Sequence, residues 1–140
     1  MKIATIIARV LLGLVFFVFG LNKFLNFIPM PPPSGQAGAF FDALYATHYL
    51  YVIATCEVIG GLLLLLGRYV PLGLTLVGPV VVNILAFHIF MSHEGWPPGA
   101  LVAVLSLFLL WRYRENFAGL VRDAAPRAAS PQTPQTTSSN

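Results

Sequence analysis

With 140 residues, 57% of them hydrophobic and 9% charged, and a mean hydropathy of +0.78, the chain is too poor in charge for an ordinary soluble domain, where about 25% of residues are charged. Its net charge of +3 and isoelectric point near 9.4 come from a few basic residues at the borders of apolar runs, which marks membrane orientation and excludes a nucleic-acid partner. The single cysteine, Cys56, excludes a disulfide framework, a CxxC redox pair and a cysteine zinc site within one chain.

The apolar runs are long enough for spanning helices and lack the short alternating segments of barrel strands. The chain therefore reads as an all-α membrane protein, one domain over residues 1–120. It is a four-transmembrane-helix bundle with spans at about 3–25, 49–67, 69–91 and 97–113. The first run starts directly after Lys2 and has no small-residue cleavage site of the A-x-A type after Gly20, so it is expected to be retained as a helix. Along it Arg9, Gly13, Phe16, Gly20, Lys23 and Phe27 share one helical face.

The proline-rich NFIPMPPPSGQ that follows breaks any helix and reads as an external loop. Beyond it Ala37, Phe40, Phe41, Leu44, Tyr45 and His48 recur at helical spacing, describing an external amphipathic segment over residues 37–48 that either lids the bundle or seats in lipid headgroups. The second span stops at Gly67 and Arg68, and Pro79 is expected to kink the third. The fourth carries Ser106 as its one polar side chain between interfacial Trp96, Trp111 and Tyr113. A juxtamembrane helix, RYRENFAGLVRD, and a disordered cytoplasmic tail over residues 121–140 complete the chain. Lys2, Arg68, Arg112, Arg114, Arg122 and Arg127 fall on one side of this arrangement and Lys23 on the other, which places both termini in the cytoplasm.

Glu57 lies near the middle of the second span, and a charge there requires a partner. By depth Arg9 is within reach, so Arg9 and Glu57 are expected to form an ion pair, read either as a clamp between the first two spans or as a proton or substrate site. Lys23, Asn22, His48, His88, His93 and Glu94 gather towards the outer surface. Of these, Lys23 and His88, with Asn83, are expected to bind a small anion or a quinone carbonyl; Lys23, His88 and Glu57 are the candidate catalytic residues. On an ideal helix Asn83 and His88 lie about 140° apart, so they share a pocket only if the helix is distorted or the pocket is wide. Neither Lys23→Met nor His88→Ala is expected to disturb folding. The phenylalanines of the first span, Phe16, Phe17, Phe19, Phe24 and Phe27, are candidates for lining a quinone site. Haem between His48 and His88, and a metal on His88, His93 and Glu94, are the further readings of these side chains, and no metal is assigned.

Three stretches, VLLGLVFFVFGLNKF, CEVIGGLLLLLGRYVPLGL and GPVVVNILAFHIF, taken in that order, resemble the DoxX family of small bacterial membrane proteins. The resemblance covers residues 3–117 and implies a four-helix bundle in the bacterial cytoplasmic (inner) membrane, with family positions on Gly20, Lys23, Glu57, Gly60, Gly61, Gly67, Asn83 and His88. It also implies association with membrane oxidoreductase systems, including thiosulfate to quinone oxidoreduction. The expected function is a membrane subunit of a redox system that handles quinone or a small reductant, beside a membrane or soluble redox partner. The alternatives are a non-enzymatic scaffold or assembly factor and, further off, a small proton-coupled transporter. The residues leave enzymatic status and homo-oligomer formation open.

Overall fold

A computed structural model describes residues 1–121 and is all-helical apart from its connecting loops, with no strand among the described residues. The helices are α1 (Lys2–Leu25), α2 (Gly35–Ala46), α3 (Tyr49–Leu66), α4 (Val70–Phe90), α5 (Trp96–Arg112) and α6 (Arg114–Val121). The expected tail over 121–140 lies outside the described residues except for Val121, which ends α6. By length and apolarity α1, α3 and α4 can each cross a membrane; α5 and α6, bent by 78° at their junction, make a fourth candidate if taken together.

Four helices close into a ring in which α1 packs on α3 and α5, and α4 packs on α3 and α5. Leu12, Leu64, Val77 and Leu109 fill its centre, while Ile7, Val52, Val82, Val104 and Leu107 stay on its outside. An apolar exterior of this kind suits hydrocarbon rather than water.

Small residues set the spacing of the ring. A Cβ placed on Gly61 would lie 2.6 Å from the Phe17 amide nitrogen and 2.8 Å from the Gly13 carbonyl oxygen, and one on Gly20 would lie 3.0 Å from Glu57 Cβ. Backbones therefore meet directly between α1 and α3, as small-residue helix interfaces permit. Gly60 and Gly73 play the same part between α3 and α4, where a Cβ on Gly73 would lie 3.0 Å from the Gly60 carbonyl oxygen.

These contacts fix the register of the two antiparallel helices and move Arg9 away from Glu57. Arg9 precedes Gly13 by one turn, and its guanidinium lies against Gly67, at the end of α3. Ten residues of helix, about 15 Å, separate that end from Glu57. The expected Arg9–Glu57 ion pair is thus corrected. It assumed that the midpoints of the two helices share one level, whereas α1, with 24 residues against 18 in α3, begins well before α3 ends. Arg9 instead sits at a helix C-terminus, where exposed carbonyl ends favour a cation.

Two local devices hold α2 over the other end of the ring. The buried Asn22 accepts from the Ile28 amide at 2.7 Å and donates to the Ile28 carbonyl at 3.3 Å, so one side chain fastens the loop that leaves α1. At the other end His48, at φ 60°, reverses the chain between α2 and α3. α2 consequently starts at Gly35 and ends at Ala46, two residues earlier than the periodicity indicates. α4 runs unbroken across Pro79, without the bond that an amide there would give the Thr75 carbonyl.

Candidate functional site

Lys23 stands in the last turn of α1, and its ammonium reaches both carboxylate oxygens of Glu57 on α3. This is the ion pair that the buried carboxylate requires. Glu57 is 3% exposed and Lys23 20%, so the carboxylate lies deeper and the lysine reaches down to it. Lysine can do this from a helix end because its stem is apolar and its head carries three donors, one of which remains after both oxygens are met.

The pair lies on the wall of a cavity of about 160 Å³ that is also lined by Asn83, Ile84 and His88 of α4. With about 30 Å³ per water in the liquid, that is room for about five waters or a single small ring. Asn83 and His88 share the cavity although α4 is continuous between them. The cavity is wide enough to span the angle between them, so no distortion of the helix is needed.

His88 Nδ1 lies 2.8 Å from the Ile84 carbonyl oxygen. A carbonyl only accepts, so Nδ1 carries the hydrogen, and in the neutral ring Nε2 is the atom left to accept or exchange a proton. On its far side His88 borders a second hollow, of about 310 Å³, together with His93 and Trp96. The imidazole therefore stands as a partition between the inner cavity and the α4–α5 turn.

The cavity is roofed by α2. Phe40 and Phe41 pack on Phe87 with ring centroids 6.0 and 5.5 Å away, and Phe87 meets His88 edge to face at 5.4 Å. This geometry places the apolar side of the amphipathic segment over the cavity. It also replaces the phenylalanines of α1 as the aromatic lining: Phe16 is buried in the core and Phe24 stacks on Tyr51. The stripe Phe40, Phe41, Leu44 is the signal that points to the true lining, because a lid must turn its apolar face towards what it covers.

The other candidates lie elsewhere. His48 is exposed and packs near Tyr51 at 5.9 Å, outside the cavity, so it does not meet His88 as a haem pair. His93 borders the second hollow, Glu94 is exposed, and no cluster of three or more metal-ligating side chains occurs among the described residues. Asn22 belongs to the loop clip rather than to the polar site. At the opposite end of the ring a hollow of about 370 Å³ lies between Lys2, Thr5, Arg112 and Asn116, without a carboxylate among its lining residues.

The DoxX family model matches residues 4–94, a span that contains every polar side chain of the cavity. The chain is 30% identical over 122 residues to "Uncharacterized protein YwoB" of Bacillus subtilis, covering 81% of this chain and 79% of that protein. It is 35% identical over 88 residues to "Putative oxidoreductase CatD" of the same organism, covering 57% of this chain and 59% of that protein. No solved structure matches the chain.

Proposed function

The chain belongs to the DoxX family of membrane proteins, and on that premise we propose that it is the membrane subunit of a redox system whose cavity binds the head group of a quinone. The observation that carries this reading is the convergence of Lys23, Glu57, Asn83 and His88 on one small cavity beneath an aromatic lid. Sites for small organic ligands combine a mostly apolar wall with a few placed polar groups, and a planar ring with opposed carbonyl oxygens suits this one. The free donor of Lys23 and the Asn83 amide supply hydrogen bonds to ring oxygens, and Glu57 keeps Lys23 in place. His88 exchanges a proton through Nε2. Reduction of a quinone to a quinol takes up two electrons and two protons; the electrons come from a partner redox protein or a small reductant. That CatD is named an oxidoreductase agrees with this assignment.

The same proposal places residues 1–120 in a bacterial cytoplasmic membrane as four spans, α1, α3, α4 and α5, with both termini and the tail over 121–140 in the cytoplasm. Lys2, Arg68, Arg112 and Arg114 lie at one border, while Lys23 at the other is occupied by Glu57. A reporter fused after Asn140 is expected to report a cytoplasmic position and one inserted at Gly35 an external one. The opposite pair of signals overturns the topology.

The site is tested by titrating a benzoquinone into the detergent-purified protein. Asn83→Leu and His88→Phe are expected to weaken binding at least about tenfold with thermal midpoints near that of the wild type, because Asn83 is exposed and the His88 side-chain bond stays within its own helix. Undiminished binding in both folded variants removes the site. In that case a protein partner co-purifying in fixed ratio, without quinone, favours the scaffold.

A further inference from the structure

A groove of about 470 Å³ runs between α3 and α4, against about 160 Å³ for the head-group cavity. The two adjoin, with Phe40, Leu44, Ile53, Val80 and Asn83 bordering both. Away from that junction the groove is walled by Val52 and Cys56 on one side and Thr75, Leu76 and Pro79 on the other. Val52, Thr75 and Pro79 are exposed, so its mouth opens on the flank of the ring, part-way along two helices that qualify as membrane spans. The Thr75 hydroxyl is bonded to the Pro71 carbonyl at 2.8 Å, which leaves the wall largely apolar.

Asn83 stands at the junction. It is exposed on α4, and no side-chain hydrogen bond among the described residues involves it. An unpartnered amide on the flank of a spanning helix is costly in hydrocarbon. Here it marks the point at which something polar meets something apolar.

We propose that the ligand enters sideways from the bilayer and lies with an isoprenoid chain in this groove, its head group passing Asn83 into the cavity. This rests on the quinone reading and narrows it: a water-soluble reductant would leave the apolar groove unused, whereas a ring carrying a long apolar chain fills both compartments. The shared border of groove and cavity, the lateral mouth and the amide at the junction together favour one amphiphile over a separate protein segment laid in the groove.

The test uses the full chain in phosphatidylcholine nanodiscs and two probes, a dimethoxy-methyl-benzoquinone ring without a chain and the same ring with two isoprene units. Val52→Trp and Thr75→Trp fill the groove from opposite walls at exposed positions, so folding is retained. Both are expected to weaken the chain-bearing ring at least about tenfold and the bare ring less than about twofold. Equal affinity of the chain-bearing ring in wild type and variants, or a parallel loss of both probes, overturns the groove. If neither ring binds the wild type, the quinone reading itself has failed, and a photoreactive prenyl alcohol decides the groove separately. Labelling confined to residues 49–56 and 75–80, and lost in Val52→Trp, supports an isoprenoid site. Labelling spread over the lipid-facing sides, or matched by a photoreactive phospholipid at the same residues, overturns it.

Discussion

Lys23→Met is expected to destabilise the folded protein by about 3–5 kcal/mol, the usual cost of removing one partner from a buried ion pair. Glu57→Gln should cost less. The asymmetry follows from burial: Glu57 is 3% exposed and loses the partner of both oxygens, whereas Lys23, 20% exposed at a helix end, can turn its ammonium towards the surface when Glu57 is gone. In the double variant Lys23→Met with Glu57→Gln neither charge remains, and most of the loss should be recovered. Denaturant unfolding in mixed micelles measures the cycle, and a coupling energy above about 1 kcal/mol is expected for this pair. The corresponding cycle of Arg9→Met with Glu57→Gln should be additive, since Arg9 lies at the far end of α3. Additivity in the first cycle and coupling in the second would falsify the pairing described above.

The same pair shows what the sequence can and cannot reveal. That Glu57 needs a cation is legible from its place in an apolar run, because the demand is a matter of dielectric and not of fold. Which cation answers is not legible, since Arg9 and Lys23 lie on one stripe of α1 and only the axial offset between helices separates them. That offset comes from where Gly13, Gly20 and Gly61 allow backbones to touch, a tertiary quantity. Lys23 consequently has two parts, a donor to the cavity and the counter-ion of Glu57, and the expectation that its loss leaves folding intact is revised.

The lid illustrates a second limit. The spacing of Phe40, Phe41 and Leu44 identifies an amphipathic helix, but a lipid headgroup region and a cavity roof impose the same pattern. That the segment covers the cavity depends on Asn22 fastening the loop and on Phe87 of α4 meeting Phe40 and Phe41, neither of which has a periodic signature. The all-helical character was, by contrast, legible from residue types, because hydrocarbon leaves few places for polar backbone; of the polar residues expected to gather at the α2 end, Lys23 and His88 line the cavity with Asn83, while Asn22, His48, His93 and Glu94 lie outside it.

Gly61→Ala is expected to destabilise by about 1–3 kcal/mol and Gly61→Leu to abolish the folded protein, by overpacking. The added Cβ would face the Phe17 amide nitrogen at 2.6 Å and the Gly13 carbonyl oxygen at 2.8 Å. Both are backbone atoms, which cannot rotate aside as a side chain would, so α1 as a whole must move. Gly78→Ala is the control: nothing lies within 4 Å of the added carbon, and there the usual helix preference for alanine should stabilise by about 0.5–1 kcal/mol. Moving α1 also carries Lys23 relative to Glu57, so the Lys23–Glu57 coupling measured in a Gly61→Ala background should shrink. A wild-type coupling energy in that background would mean that the ion pair, rather than the glycine contact, sets the register of the two helices.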